Sequence, residues 1–262
     1  MIPRSPLRDR PPGTWPRPSA PAWAAATLTG LSVVLLTLVA AGWAPLTGWD
    51  ASVAARAHET ALARPGATHA NRILTDWVWD PWTMRAVAAG VVLWLWGRGT
   101  VRLAMTVGGA CLAAALAQQL LKAAVGRDRP VWPDPVDSAH FAAFPSGHAM
   151  TATVTCGLVV WLLHVFRVRR PVLVAAWAVA VVSVAGVGAT RVWLGVHWPT
   201  DVVGGWLLGG LTVALAALTY DRAGRSARRD RPAGAADQVG GVGVQQRGRL
   251  AEWEPGEPRA GS

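Results

Sequence analysis

Long apolar runs uninterrupted by charge recur along this chain, and they restrict its fold more than any other feature. Residues 22–44, 103–121, 149–163, 171–190 and 202–219 each form one. About 20 apolar residues are needed for a helix to cross the hydrocarbon layer, and a chain inside that layer must satisfy its own backbone polar groups. Each run is therefore predicted to span a membrane as a helix. A sixth run, 86–97, is short, and it is extended backward through Trp82 and Arg85, with Arg85 snorkelling or facing protein. A chain of 262 residues would be long enough for one or two soluble domains, but 52% of it is hydrophobic and only 15% charged. The predicted class is all-α, a polytopic membrane protein with six transmembrane helices.

A formal net charge of +10 raises nucleic acid as a partner, yet the basic residues are not gathered on a soluble domain with aromatic platforms. They track topology instead. Arg4, Arg8, Arg10 and Arg17 precede span one, Arg98 and Arg102 lie between spans two and three, and Arg167, Arg169 and Arg170 between four and five. More arginines follow span six, from Arg222 to Arg259. With six spans these segments share one side, which the positive-inside rule makes cytoplasmic, so both termini are expected in the cytoplasm of a multi-pass cell-membrane protein. The first run is too long for a signal peptide and has no clear cleavage site, so it is read as a retained span. Residues 1–21, rich in proline and arginine, are predicted to be a disordered cytoplasmic leader, and residues 221–262 a disordered basic tail, flanking a six-span domain over 22–220. Cys111 and Cys156 fall inside apolar runs and read as small buried residues, neither a disulfide nor a metal pair.

Between spans one and two, residues 46–81 make a long external connection. Asp50 is placed to cap a helix over Ala51–Ala63, either a weakly amphipathic helix on the membrane surface or an ordinary packed one. His58 and His69 have no acidic or cysteine partners at ligand spacing and are read as solvated. Trp77, Trp79 and Trp82 before span two, with Trp94 and Trp96 at its far end, match aromatic belts.

Lys122, Arg127, Arg129 and Arg191 lie on the opposite side from the other basic clusters and need another explanation. Lys122 and Arg129 flank the end of span three about two helical turns apart, close enough to point into one cavity before Pro130 stops the helix. A stiff external loop over 131–144 carries Pro133 and Pro135, with Asp134, Asp137 and His140 as weaker candidates for substrate contact. It leads to Pro145-Ser146-Gly147-His148. Ser146 can cap the next helix, Gly147 lets backbone approach a ligand, and His148 stands at the rim as a candidate general acid. The third constellation is Arg191 with His197 and Asp201. If a helix starts at Pro199, the Asp201 carboxylate reaches back to one ring nitrogen of His197 and fixes the tautomer of the other. All three fall on one external face, at the ends of spans three to six, and supply cations for an oxyanion and a histidine suited to covalent phosphoryl transfer. No carboxylate cluster suited to Mg²⁺ or Zn²⁺ accompanies them, so no metal and no cofactor is predicted.

Lys122 with Arg129-Pro130, Pro145-Ser146-Gly147-His148, and Arg191 with His197 and Asp201 resemble, in order and combination, the three signature motifs of the type 2 phosphatidic acid phosphatase superfamily. The resemblance implies that His197 attacks phosphorus, Asp201 orients it, and His148 protonates the leaving oxygen. It further implies that Lys122, Arg129, Arg191 and the Ser146-Gly147 backbone hold the phosphate, with the Ser146 hydroxyl as a further contact. Thr190 stands where the family usually has serine before the arginine. The implied function is a metal-independent membrane phosphatase acting at the outer face on a lipid phosphate or diphosphate: undecaprenyl diphosphate, phosphatidic acid or phosphatidylglycerol phosphate. The alternatives are a lipid phosphotransferase, in which an alcohol replaces water, and a non-catalytic protein that binds or transports an anionic lipid. Haloperoxidase activity ranks below these, because the soluble helical body that the resemblance associates with it is absent.

Overall fold

The computed structural model describes residues 19–229, and every regular element among them is helical. The calls on the leader up to residue 18 and on the tail beyond residue 229 lie outside the described residues. The chain divides into two units, Met1–Leu218 and Thr219–Ser262. The site belongs to the first.

Helix α1 runs Ala20–Ala40, α2 Ala44–Ala63 and α3 Pro65–Ile73, followed by a π-helical turn at Leu74–Val78. Then come α4 at Pro81–Gly97, α5 at Val101–Val125, α6 at Gly147–Val165, α7 at Arg170–Trp193 and α8 at Pro199–Arg229. Among the described residues five helices are long and apolar enough to cross a membrane: α1, α5, α6, α7 and α8. The sixth expected span is α4, whose 17 residues rise about 25 Å, the lower end of what crosses hydrocarbon. Asp80 caps it, accepting from the backbone N–H groups of Trp82 and Thr83, with Pro81 at the first helical position.

Several boundaries differ from the sequence reading, each for a local reason. Helix α1 ends at Ala40 rather than 44, where Gly42 takes a left-handed φ of 61° and lets the chain turn into α2. Asp50 does not cap a helix: α2 starts six residues earlier, with Pro45 in its first turn, and carries Asp50 fully buried in its body. His58 is buried rather than solvated, its ring stacked on Trp132 at 4.3 Å between centroids, whereas His69 is exposed. Trp79 leaves the aromatic belt for the core, where it packs with Ala152, Val187 and Met84, while Trp77, Trp82, Trp94 and Trp96 stay exposed. Residues 221–229, read as the start of a disordered tail, continue α8.

Helix α6 is the hub, packed against α4, α5 and α7, while α2 packs on α7. Helix α8 reaches α6 through small residues. A Cβ built on Gly205 would lie 2.8 Å from the Ser146 carbonyl oxygen and 3.0 Å from the Met150 nitrogen, so only glycine allows this approach. The consequence is that the starts of α6 and α8 lie side by side. The Ser146 N–H donates to the Asp201 carbonyl oxygen at 2.9 Å and fastens the two together.

Candidate functional site

Each charged side chain of the site comes from the end of a helix or from the turn beside it. Lys122 lies in the last turn of α5, and Gly126, at φ 58°, ends that helix and sends Arg127 and Arg129 back across the bundle. His148 is in the first turn of α6, Arg191 in the last turn of α7, and Asp201 in the first turn of α8. His197 sits in the α7–α8 turn, which Gly195 makes possible: its φ is 67°, and a Cβ there would meet Trp132 Nε1 at 2.6 Å.

Lys122, Arg129, Gly147, His148, Arg191 and His197 line one cavity of about 340 Å³. His197 is buried, with Nδ1 3.3 Å from Asp201 Oδ2 and Nε2 3.1 Å from Arg129 Nη1. Burial holds its pKa well below the ordinary 6.5, and the cations of Arg129, Arg191 and Lys122 push the same way. A neutral ring that donates Nδ1–H to the carboxylate leaves the Nε2 lone pair toward the cavity.

Two of the cations, Arg129 and Lys122, are held largely by backbone carbonyls. Arg129 donates from Nη1 to Val196 O at 2.5 Å, from Nε to Phe141 O at 2.8 Å and from Nη2 to His140 O at 3.3 Å. Lys122 Nζ donates to Ala142 O. Burial lowers the Arg129 pKa from its ordinary value, but a guanidinium stays charged. Arg191 is 4% exposed, yet its partners are distant: Thr75 Oγ1 at 3.4 Å and Asp137 Oδ2 at 3.9 Å, with none for Nε. A guanidinium so deeply buried normally fills its donors. Of the loop candidates, Asp137 thus faces Arg191, His140 lines the cavity, and Asp134 is exposed and not in the lining.

Two calls on the Pro145–His148 segment change. Ser146 holds the N-cap position of α6 but makes no side-chain cap bond, and its Oγ is buried without a partner. Its N–H is committed to Asp201 O and is not free for an anion. Gly147 lines the cavity, with Gln118 Nε2 only 2.8 Å from where its Cβ would be.

The sequence reading left Arg127 without a role and missed what surrounds it. Its Nη1 donates to Asp201 Oδ1 and to Thr200 Oγ1, both at 2.7 Å, and its Nη2 to Asp50 Oδ2 at 2.7 Å. Asp50 also accepts from the Thr200 N–H at 3.0 Å and the Thr200 hydroxyl at 2.5 Å. Asp201 Oδ2 in turn accepts from the Trp198 N–H at 2.9 Å. The available signal was a carboxylate and a guanidinium placed in apolar surroundings, where each needs a partner.

A second, apolar cavity of about 400 Å³ lies between α4, α5 and α6, lined by residues such as Val92, Ala115 and Val154. Arg85 and Gln118 line both cavities, so the two adjoin. Arg85 also lies over the Trp82 ring, 5.1 Å from its centroid.

A family model described as PAP2 superfamily matches residues 103–225, which hold Lys122, Arg129, His148, Arg191, His197 and Asp201. Residues 103–225 belong to the PAP2 superfamily. Among curated relatives, a lipid A 1-phosphatase of Rhizobium etli is 34% identical over 118 residues, 42% of this chain and 47% of the relative. A phosphatidylglycerophosphatase B of Bacillus subtilis is 35% identical over 99 residues, 36% of this chain and 46% of the relative. An undecaprenyl-diphosphatase of Sulfolobus acidocaldarius is 39% identical over 77 residues, 29% and 31% of the two chains. The chain thus spans about half the length of the first two and less of the third. The fold matches the crystal structure of a transmembrane PAP2-type phosphatidylglycerolphosphate phosphatase from Bacillus subtilis, with a TM-score of 0.59 and 22% identity over 76% of this chain and 97% of that one. That likeness establishes a transmembrane PAP2 fold. Asp50 lies outside the PAP2 segment and reaches its site only through the tertiary structure.

Proposed function

We propose that this PAP2 protein is an integral membrane phosphatase that hydrolyses a lipid phosphate or diphosphate through a covalent phosphohistidine. The observation that carries the reading is His197, with Nδ1 toward Asp201 and Nε2 toward a cavity ringed by Lys122, Arg129 and Arg191. Binding an anion would need only the cations; the oriented histidine is an addition that nucleophilic catalysis explains.

The Nε2 lone pair attacks phosphorus while the bond from phosphorus to the leaving oxygen breaks, and His148 supplies that oxygen with a proton. Water then attacks the phosphorus of the N–P intermediate, His148 takes a proton back, and inorganic phosphate leaves with His197 neutral again. Phosphate oxygens replace Phe141 O, His140 O, Ala142 O and Nε2 as acceptors for Arg129 and Lys122, and they fill the unmet donors of Arg191. The Gly147 backbone lies open to the same oxygens, while the Ser146 side chain is buried outside the cavity lining. On this reading the arginines and the lysine neutralise the transferring group and no metal takes part.

A lipid substrate is favoured by the apolar cavity that continues from the polar one past Arg85 and Gln118. The relatives' names point to lipid A, phosphatidylglycerol phosphate and undecaprenyl diphosphate as head groups worth testing. Counting α4 as the sixth crossing puts the site on the face opposite Arg98, Arg102, Arg167, Arg169 and Arg170, hence outside.

The deciding experiment measures phosphate release by the purified protein in EDTA, beside His197→Ala. The substrates are undecaprenyl diphosphate, phosphatidic acid, phosphatidylglycerol phosphate and a soluble phosphomonoester. Release from a lipid that disappears in the variant supports the reading. Folded protein that releases nothing from any of them, or does so only with added Mg²⁺, overturns it.

A further inference from the structure

Asp201 orients His197 only if its carboxylate is itself held, and a carboxylate buried to 0% side-chain exposure requires a counter-charge. Arg127 supplies one, but not to Asp201 alone. One arm of its fork, Nη1, goes to Asp201 Oδ1, and the other, Nη2, goes to Asp50 Oδ2 on α2, each at 2.7 Å. Thr200 closes the ring, taking a bond from Nη1 and giving its own N–H and hydroxyl to Asp50.

This division matters for the histidine. A guanidinium facing a single carboxylate tends to grip both oxygens in parallel. Here Asp50 and Thr200 occupy the rest of the fork, so Asp201 Oδ2 remains available to the Trp198 N–H and to His197 Nδ1. Two carboxylates share one guanidinium, and the cluster keeps an excess negative charge close to a ring that becomes positively charged when phosphorylated at Nε2.

We propose that Asp50 and Arg127 are positioning residues for the phosphoryl-transfer reaction: by splitting the Arg127 fork between two carboxylates, they leave Asp201 Oδ2 to hold His197 as the Nδ1–H tautomer. The proposal rests on the phosphatase reading above, but the tautomer itself can be observed without turnover. It also gives α2 a part in the chemistry although none of its atoms lines the cavity.

The test compares Asp50→Asn, which keeps the shape and removes the charge, and Arg127→Lys, which replaces a planar fork by a point charge. Asp128→Asn serves as the control, since that side chain lies between Arg127 and Arg129 yet is exposed. With whichever substrate of the four-member panel above the wild type hydrolyses fastest in detergent, kcat falls on the order of 10–100-fold in both test variants, the scale on which outer hydrogen-bond partners act on the groups they orient. KM stays within about twofold, because the cavity-lining cations are untouched. In ¹⁵N-histidine-labelled protein, the His197 signal, assigned by its loss in His197→Ala, reports Nδ1 protonation in the wild type and a gain of the Nε2–H form in both variants. Either variant suffices if the other does not fold. Wild-type kcat with an unchanged tautomer in a folded variant overturns the proposal, as does a loss confined to KM. If wild-type protein releases no phosphate, the phosphatase reading fails, and the tautomer alone then decides whether Asp50 and Arg127 position the ring.

Discussion

At the scale of single residues, the two histidines differ in placement: His197 is held by Asp201 in the α7–α8 turn, and His148 lines the cavity from the first turn of α6. His197 is buried against cations, and its lowered pKa keeps it neutral to more acidic pH than a free imidazole. The charged and titratable groups facing it are Lys122 from α5, His148 from α6, Arg191 from α7, Asp201 from α8 and Arg129 from the intervening loop. Protonating Nε2 removes the nucleophile, so activity is lost as pH falls, and the lowered pKa moves that acidic limb below 6.5. A pH series of kcat/KM should therefore stay level through neutral pH and fall only below 6.5, and an acidic limb centred at or above 6.5 would contradict a buried, neutral His197 as nucleophile. Replacing His148 by alanine should lower kcat by roughly 10²–10⁴ for lipid phosphates and much less for esters with excellent leaving groups. Equal losses on both would assign His148 to structure. The structure brings Lys122, Arg129, His148, Arg191 and His197 to one cavity, and they were legible because each stands in a short local pattern beside a helix end. Arg127 and Asp50 were not, since neither lines that cavity and their spacing of 77 residues carries no local pattern.

Among the elements, apolar run length identified the five described helices long and apolar enough to cross a membrane, but not where they stop. Helix α4 began at Pro81 because proline and an Asp80 cap start a helix well, even with Trp82 and Arg85 in the first turns. Helix α2 was expected from Ala51 rather than Ala44, because alanine-rich sequence gives little amphipathic signal, and its buried face, Asp50, Ala54, His58 and Ala61, is defined by the partners it meets. Its Asp50 looked like a cap because isolated aspartates before alanine runs usually are. The contact of α8 with α6 yields a sharper expectation. Gly205→Ala would press a methyl group against the Ser146 carbonyl and the Met150 nitrogen, neither of which can rotate away. Overpacking of this kind costs about 1–3 kcal/mol. Thermal unfolding in detergent should show a lower Tm, and phosphate release should fall as well, because the same displacement separates His148 from Asp201. A variant as stable and active as the wild type would mean the two helices can part without consequence.

For the whole molecule, orientation is the property that decides which leaflet supplies substrate. With α4 as the sixth crossing, an impermeant thiol reagent applied to intact cells should label a cysteine placed at Ser138, in the external loop, and leave one at Arg169 protected. Cys111 and Cys156, each half-buried within a helix, should contribute little background, which the unsubstituted protein would measure. The reverse labelling pattern would turn the site toward the cytoplasm.

The bond from the Ser146 N–H to the Asp201 carbonyl, together with the glycine contact beneath it, has a kinetic consequence. His148 and Asp201 ride on one welded floor, whereas Arg129 and Lys122 are moored to carbonyls of a roof made by residues 140–142. A departing phosphate can hand Arg129 and Lys122 back to that roof without disturbing the floor. If the phosphatase reading holds, the reacting nitrogen is ready again as soon as these moorings have exchanged.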